Sequence, residues 1–185
     1  YEWDSLIPGV QSGKLDMIIA GMSPTAERKE KIDFSNNYFT SNLVIVKKAE
    51  NLKDVKTIAD LDGKKIAAQS GTFHLTALSE QTKAAANEMS DFTTMLIALK
   101  AGTIEGYVAE EPTAMAVCMD KAYDYIQFVN NDTGFKVDDD EVSIAVGVKK
   151  GAELKDKIND ALKDFDDNAQ KELMASMVAI APVEE

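Results

Sequence analysis

Two short apolar runs in this chain end in glycine turns that open helices, and that arrangement limits the possible fold more than any other feature. Residues 15–20 run into Gly21-Met22-Ser23-Pro24, and residues 65–68 run into Gln69-Ser70-Gly71-Thr72. Further strand-like runs at 43–46, 104–109, 125–129 and 142–148 alternate with helical stretches at 73–88, 92–100, 111–119, 153–165 and 168–178. Asp4 can cap a first helix carrying Leu6, Ile7 and Val10, with Gly13 as its stop. A parallel neighbour is reached only through a crossover, so this alternation predicts βαβ units and an α/β fold with a mainly parallel sheet. Asp62-Gly63 reads as a turn and Asp138-Asp139-Asp140-Glu141 as a solvated acidic loop. No linker separates two domains. Two lobes are still possible if the chain crosses between them in strands, and 43–46 and 144–148 are the natural crossing points.

Charge and cysteine content exclude several functions. A formal net charge of −12 leaves no basic stripe to displace counterions from phosphate, so no nucleic acid is expected as a partner. The single cysteine, Cys118, cannot form an intrachain disulfide or build a metal cluster. No apolar run approaches the ~20 residues of a membrane span. Tyr1-Glu2-Trp3-Asp4 begins abruptly beside a helix start and shows no signal segment, so the piece reads as trimmed from something longer.

In open α/β sheets, ligands sit beyond the carboxyl ends of strands. Three such ends stand out: residues 21–28, residues 69–73, and Ala109-Glu110-Glu111. In the first, Ser23 reads as an N-cap and Pro24 as the first helical residue, with Arg28 one turn inside. Backbone donors, a hydroxyl and a guanidinium together suit a carboxylate. With the acid at the third end, the inventory matches a small zwitterion. Each residue also has a plainer use. Arg28 can be one charge on a solvated helix, and Glu110 and Glu111 can be helix N-terminal charges. Thr72 can be only a cap, Trp3 and Phe73 core residues, and His74 a packed or solvent-facing side chain. No nucleophile motif, phosphate loop or metal loop is present, so no catalytic residue, metal or cofactor is expected.

Leu6-Ile7-Pro8, Ser12-Gly13-Lys14-Leu15-Asp16, Gly21-Met22-Ser23-Pro24-Thr25-Ala26-Glu27-Arg28, Ile32-Asp33-Phe34-Ser35 and Tyr38 together resemble the polar-amino-acid solute-binding proteins of ABC importers, bacterial extracellular solute-binding family 3. Leu61-Asp62-Gly63-Lys64-Lys65-Ile66, Gly71-Thr72 and Gly102-Thr103-Ile104-Glu105-Gly106 extend the resemblance over almost the whole chain. It implies a two-lobed, type II periplasmic-binding-protein-like fold, each lobe a mainly parallel sheet flanked by helices. Lobe one would be 1–42 plus 149–185, lacking about 50–60 residues at its start, and lobe two 43–148.

By the same resemblance, Arg28 would hold a ligand α-carboxylate, with Gly21, Met22, Ser23 and Trp3 beside it. Thr72 and Phe73 would face the carboxylate from lobe two, and Glu110 would grip the α-ammonium. Phe73 stands where a small hydroxyl residue is usual, and Glu110 where Asp is usual, so both resize the pocket. The implied function is extracytoplasmic binding of an L-amino acid, polar or basic, by clamshell closure and delivery to a membrane permease. The protein would be a monomer in the periplasm, or lipid-anchored at the surface of a Gram-positive cell. A sensor domain and a cyclohexadienyl dehydratase-like enzyme are the alternatives on the same fold.

Overall fold

A computed structural model describes residues 1–180. After a 3-10 turn at Trp3–Ser5, the elements in chain order are α1 (Leu6–Ser12), β1 (Met17–Ile18), α2 (Ala26–Lys31), β2 (Asp33–Thr40) and β3 (Leu43–Lys48). Then come β4 (Lys65–Gln69), α3 (Phe73–Gln81), β5 (Ala85–Met89), α4 (Phe92–Ala101), β6 (Gly106–Glu110) and α5 (Glu111–Val117). The chain continues through β7 (Tyr123–Gln127), α6 (Asp139–Val142), β8 (Ser143–Val148), α7 (Leu154–Leu162) and α8 (Asp167–Ala179).

The residues form two compact units. Among the described residues, unit one contains Tyr1–Thr40 and Asp138–Ser176, and unit two contains Ser41–Val137 and residues 177–180. The first boundary thus falls at 40/41 instead of the expected 42/43, and the second at 137/138 instead of 148/149. The second shift has a clear cause. β8 is hydrogen-bonded to β1 and β2 in the sheet of unit one, so its residues cannot belong to unit two.

Unit one has a three-stranded sheet in the order β1-β8-β2, and both pairings are antiparallel. The expectation of a mainly parallel sheet fails here because the returning strand inserts between the two outgoing ones. Val10, Ile18, Met22 and Ile32 form its buried core, with Trp3, Leu6 and Phe34 packed around them. Gly13, at φ 78°, ends α1 in the left-handed conformation, as its place after the helix suggests.

Unit two has a five-stranded sheet in the order β5-β4-β6-β3-β7. β5, β4 and β6 are parallel, whereas β3 runs antiparallel to both β6 and β7, so the sheet is mixed, with one reversed strand. Alternate residues divide between its faces, as the period of two in a strand requires. Leu43, Ile45, Ile66, Ala68 and Val108 pack under α3 through Ala77 and Leu78. Val44, Val46, Ala67, Tyr107 and Ala109 pack against Met95, Leu96 and Leu99 of α4 and Ala114 of α5. Asp91 caps α4 by accepting from the Thr94 N–H at 2.7 Å, and Gly102 closes the helix at φ 75°.

Three expected elements differ. The helix read over 73–88 stops at Gln81, because 85–89 forms the edge strand β5 beside β4. The acidic stretch 138–141 is not a loop but opens the one-turn helix α6, in which Asp138 and Glu141 form a reciprocal capping box. The sequence reading gave 33–40 no strand, yet it forms β2, whose pairing with β8 shifts register twice.

Candidate functional site

Each unit gathers its chemistry at a strand end. In unit one the chain leaves β1, turns through Gly21 at φ 64°, and enters α2 at Ala26. The turn does not use Ser23 as its cap. Thr25 is the N-cap, its hydroxyl accepting from the Arg28 N–H at 3.4 Å. Ser23 is buried and donates its hydroxyl to the Glu141 carbonyl at 2.7 Å, a partner 118 residues away that local sequence rules cannot reveal.

Arg28 is only 8% exposed, so the reading of a solvated helix charge does not apply. Its Nη1 donates to the Ser23 carbonyl at 3.1 Å, and the guanidinium carbon lies 5.5 Å from the centroid of the Trp3 ring. Aromatic stacking and a backbone carbonyl together fix the plane of the five-donor fork. Trp3 is half-buried and serves this orientation. Met22 packs its side chain into the core, and its carbonyl accepts from the Ala145 N–H at 3.2 Å. Tyr38, on β2, has its hydroxyl pKa raised by burial, against a hydrogen bond from the Gly21 backbone that lowers it.

In unit two, the parallel neighbours β4 and β6 end side by side. Gln69 closes β4 with its side-chain amide donating to the Ser90 carbonyl at 3.1 Å. Gly71, at φ 66°, makes the turn, and Thr72 occupies the N-cap position of α3. The Thr72 hydroxyl does not cap the helix; it donates back to the Gln69 carbonyl at 2.8 Å. Phe73 follows, half-buried against the unit's core, its ring T-shaped to His74 at 4.6 Å.

Glu110, at the end of β6, brings Oε1 to 3.0 Å from His74 Nε2. The sequence reading left His74 without a role. A lone histidine one residue past Phe73, with an acid at the end of the adjoining strand, was the signal available for finding the pair. Glu111 has a different use. Its carboxylate accepts from Gln127 Nε2 at 2.9 Å and from the Tyr125 hydroxyl at 3.4 Å, and its N–H donates to the Ser41 hydroxyl and the Asn42 carbonyl at 3.1 Å. Burial, then the Glu111 charge, raises the Tyr125 pKa. Glu111 therefore ties the start of α5 to β7 and to the segment 41–42 just before β3. The Cys118 thiol, pushed up to about 11 by burial and the nearby Asp124, stays protonated at neutral pH.

One unit holds an oriented guanidinium, and the other a carboxylate at a strand end. The chain belongs to the bacterial extracellular solute-binding proteins, family 3, whose pattern it matches over residues 1–176. It is 29% identical over 177 residues to the arginine-binding extracellular protein ArtP of Bacillus subtilis, a match covering 92% of this chain and 66% of that protein. It is 37% identical over 112 residues to a probable histidine-binding protein of Campylobacter jejuni, covering 60% of this chain and 43% of that one. This chain thus spans less than two thirds of the length of these relatives.

Among solved structures, an amino acid ABC transporter substrate-binding protein of Streptococcus pneumoniae bound to L-arginine superposes with a TM-score of 0.84 at 27% identity, covering all of this chain and 76% of that one. An ancestral arginine-binding protein bound to glutamine gives 0.77 at 30% identity, covering 95% and 76%. The fold is that of type II periplasmic binding proteins. Members of the family are substrate-binding transport proteins, and no helix among the described residues is long and apolar enough to cross a membrane.

Proposed function

We propose that this protein binds an L-amino acid with a polar or basic side chain outside the cytoplasm and delivers it to an ABC permease. The buried, doubly oriented guanidinium of Arg28 carries the reading, because a planar fork held by the Ser23 carbonyl and the Trp3 ring suits a bidentate carboxylate. Gly21 and Ser23 add backbone groups beside it. Thr72 and the backbone at Phe73 would meet the carboxylate from unit two, and Glu110 would take the α-ammonium. The names of the relatives, which specify arginine and histidine, support a basic ligand.

A ligand that engages both half-sets at once stabilises whichever arrangement of the two units permits it, so binding shifts the conformational equilibrium by its differential affinity. Micromolar affinity, about −8 kcal/mol, suits capture followed by release. The protein works as a monomer, without catalysis or cofactor, in the periplasm or lipid-anchored at the cell surface. Calorimetric titration with L-arginine, L-histidine and L-glutamine tests the reading. Heat and saturation with at least one of them in the wild type, lost in Arg28→Ala, is the expected result, whereas turnover of prephenate or arogenate would replace transport with catalysis. The second outcome has one observation beside it: an ancestral amino-acid-binding protein, itself a precursor of cyclohexadienyl dehydratase, is a structural neighbour with a TM-score of 0.78 at 28% identity.

A further inference from the structure

Arg28 is the only arginine of the chain and Trp3 its only tryptophan. The residue that holds this guanidinium from the main chain is Ser23, and Ser23 is bonded in two directions. Its carbonyl accepts from Arg28 Nη1 at 3.1 Å, and its buried hydroxyl donates to the Glu141 carbonyl at 2.7 Å. A serine hydroxyl has one hydrogen to donate, and here a main-chain carbonyl 118 residues away receives it.

Glu141 is the third residue of the four-residue helix α6, which opens where the chain re-enters unit one at Asp138. A helix this short cannot be held by its own backbone bonds, because its first N–H groups have no partner inside it. The Glu141 side chain closes the turn: its Oε2 accepts from the Asp138 N–H at 2.9 Å. One residue therefore shapes α6 with its carboxylate and receives Ser23 with its carbonyl.

Two further bonds join the same stretches of chain. The Ala145 N–H donates to the Met22 carbonyl at 3.2 Å, and Lys29, the residue after Arg28, meets Asp140 at 2.5 Å. The Lys29–Asp140 pair is exposed, so solvent screens it and it adds little. The Met22 bond anchors the backbone just before Ser23. What the Ser23 hydroxyl adds is a second fixed point, from which its own carbonyl reaches Arg28. A bidentate fork tolerates little tilt, so the group that fixes its plane bears on affinity without touching the ligand.

We propose that Glu141 is a positioning residue for the ligand site: its carboxylate shapes α6, its carbonyl holds the Ser23 hydroxyl, and the Ser23 carbonyl sets the plane of the Arg28 guanidinium. The Ser23 hydroxyl then works toward α6 and not toward the ligand. The proposal rests on the amino-acid reading given above, with Arg28 as the carboxylate anchor.

Every residue carries a main-chain carbonyl, so side-chain variants at position 141 disturb the positioning without deleting the partner of Ser23. In Glu141→Ala of the full chain, calorimetry with L-arginine should show affinity lower by about fivefold or more. Glu141→Gln keeps an acceptor for the Asp138 N–H but loses the charge, and should bind within about twofold of wild type. Equal losses in the two variants assign the effect to charge and overturn the proposal. Ser23→Ala should match Glu141→Ala, and the double variant should lose no more than either alone, because all three break one path; losses that multiply overturn it. Asp91→Ala removes a helix cap in unit two, and should bind like the wild type. A loss there equal to that of Glu141→Ala makes the effect one of stability alone and overturns the proposal.

A second readout needs no ligand. With isotope-labelled arginine, the single guanidinium gives one Nε–H signal in a nitrogen–proton NMR spectrum, displaced by the nearby Trp3 ring. That displacement should shrink in Glu141→Ala and Ser23→Ala and persist in Glu141→Gln. A signal that stays in place in all three variants overturns the proposal. If the wild type binds no amino acid, the transport reading falls, and this spectrum still decides whether Glu141 holds Arg28 in position.

Discussion

At the residue scale, Arg28 owes its geometry to two neighbours that a lysine cannot use in the same way. An ammonium on a flexible stem makes no planar fork and stacks poorly on Trp3. Arg28→Lys should therefore weaken L-arginine binding by at least about tenfold, while unfolding free energy changes by less than about 1 kcal/mol, because a charge near the Ser23 carbonyl is retained. Titration calorimetry and denaturant unfolding on the same samples separate the two effects; undiminished affinity would remove Arg28 from the site. The positions of Arg28 and Glu110, where strands end and helices begin, were legible in the sequence. The assignments of Ser23 and Met22 were less so. One hydroxyl is taken by Glu141 and one side chain by the core, and neither partner lies within reach of a local pattern. Glu110 and Glu111 are adjacent acids that differ in their tertiary contacts, Glu110 lying beside His74 and Glu111 bonding Gln127 and the Ser41 hydroxyl.

At the element scale, helices with their own punctuation were read well. α4, read over 92–100, runs over Phe92–Ala101 between an Asp91 cap and a Gly102 stop. Replacing that cap, Asp91→Ala, should cost about 1 kcal/mol in denaturant unfolding. The Ser90 hydroxyl and then the Thr94 N–H hold the Asp91 carboxyl below its ordinary value. A carboxylate with a depressed folded pKa stabilises above its unfolded value, and that contribution disappears as pH falls through the folded one. Wild-type stability should therefore fall more steeply below about pH 4 than that of Asp91→Asn, which keeps an acceptor but no titrating group; parallel curves would remove Asp91 from the acid transition.

Strands were harder to read, because an edge strand such as β5 and a reversed strand such as β3 have no sequence mark of direction. Gly106 does show where β6 is packed. A Cβ there would lie 2.7 Å from Ile45 Cγ2 and 2.9 Å from the Val46 carbonyl. Gly106→Ala should destabilise unit two by about 1–3 kcal/mol, readable as a lower denaturant midpoint. A neutral effect would mean that β3 and β6 can separate by a few tenths of an ångström without loss.

At the scale of the whole molecule, the sequence left two bodies possible with a return crossing at 144–148, whereas β8 lies within unit one, because a strand reads the same whichever sheet it joins. The two units have cores of different size. Unit two is built on two buried clusters, one on each sheet face, and unit one on a single small one. Opening free energies follow buried apolar packing, so amides of β3, β4 and β6 should exchange with deuterium more slowly than those of β1 and β2 in the free protein. Ligand adds a term that depends only on affinity and concentration, about 2.7 kcal/mol at a hundredfold excess over Kd. Where that term appears is informative. If an amino acid uses both half-sets, saturating L-arginine should slow exchange at residues 21–28 of unit one and at residues 71–74 and 110 of unit two together, with both gains reduced by Arg28→Ala. If protection rises in one unit alone, the ligand uses one half-set, and the assignment of the other must be given up.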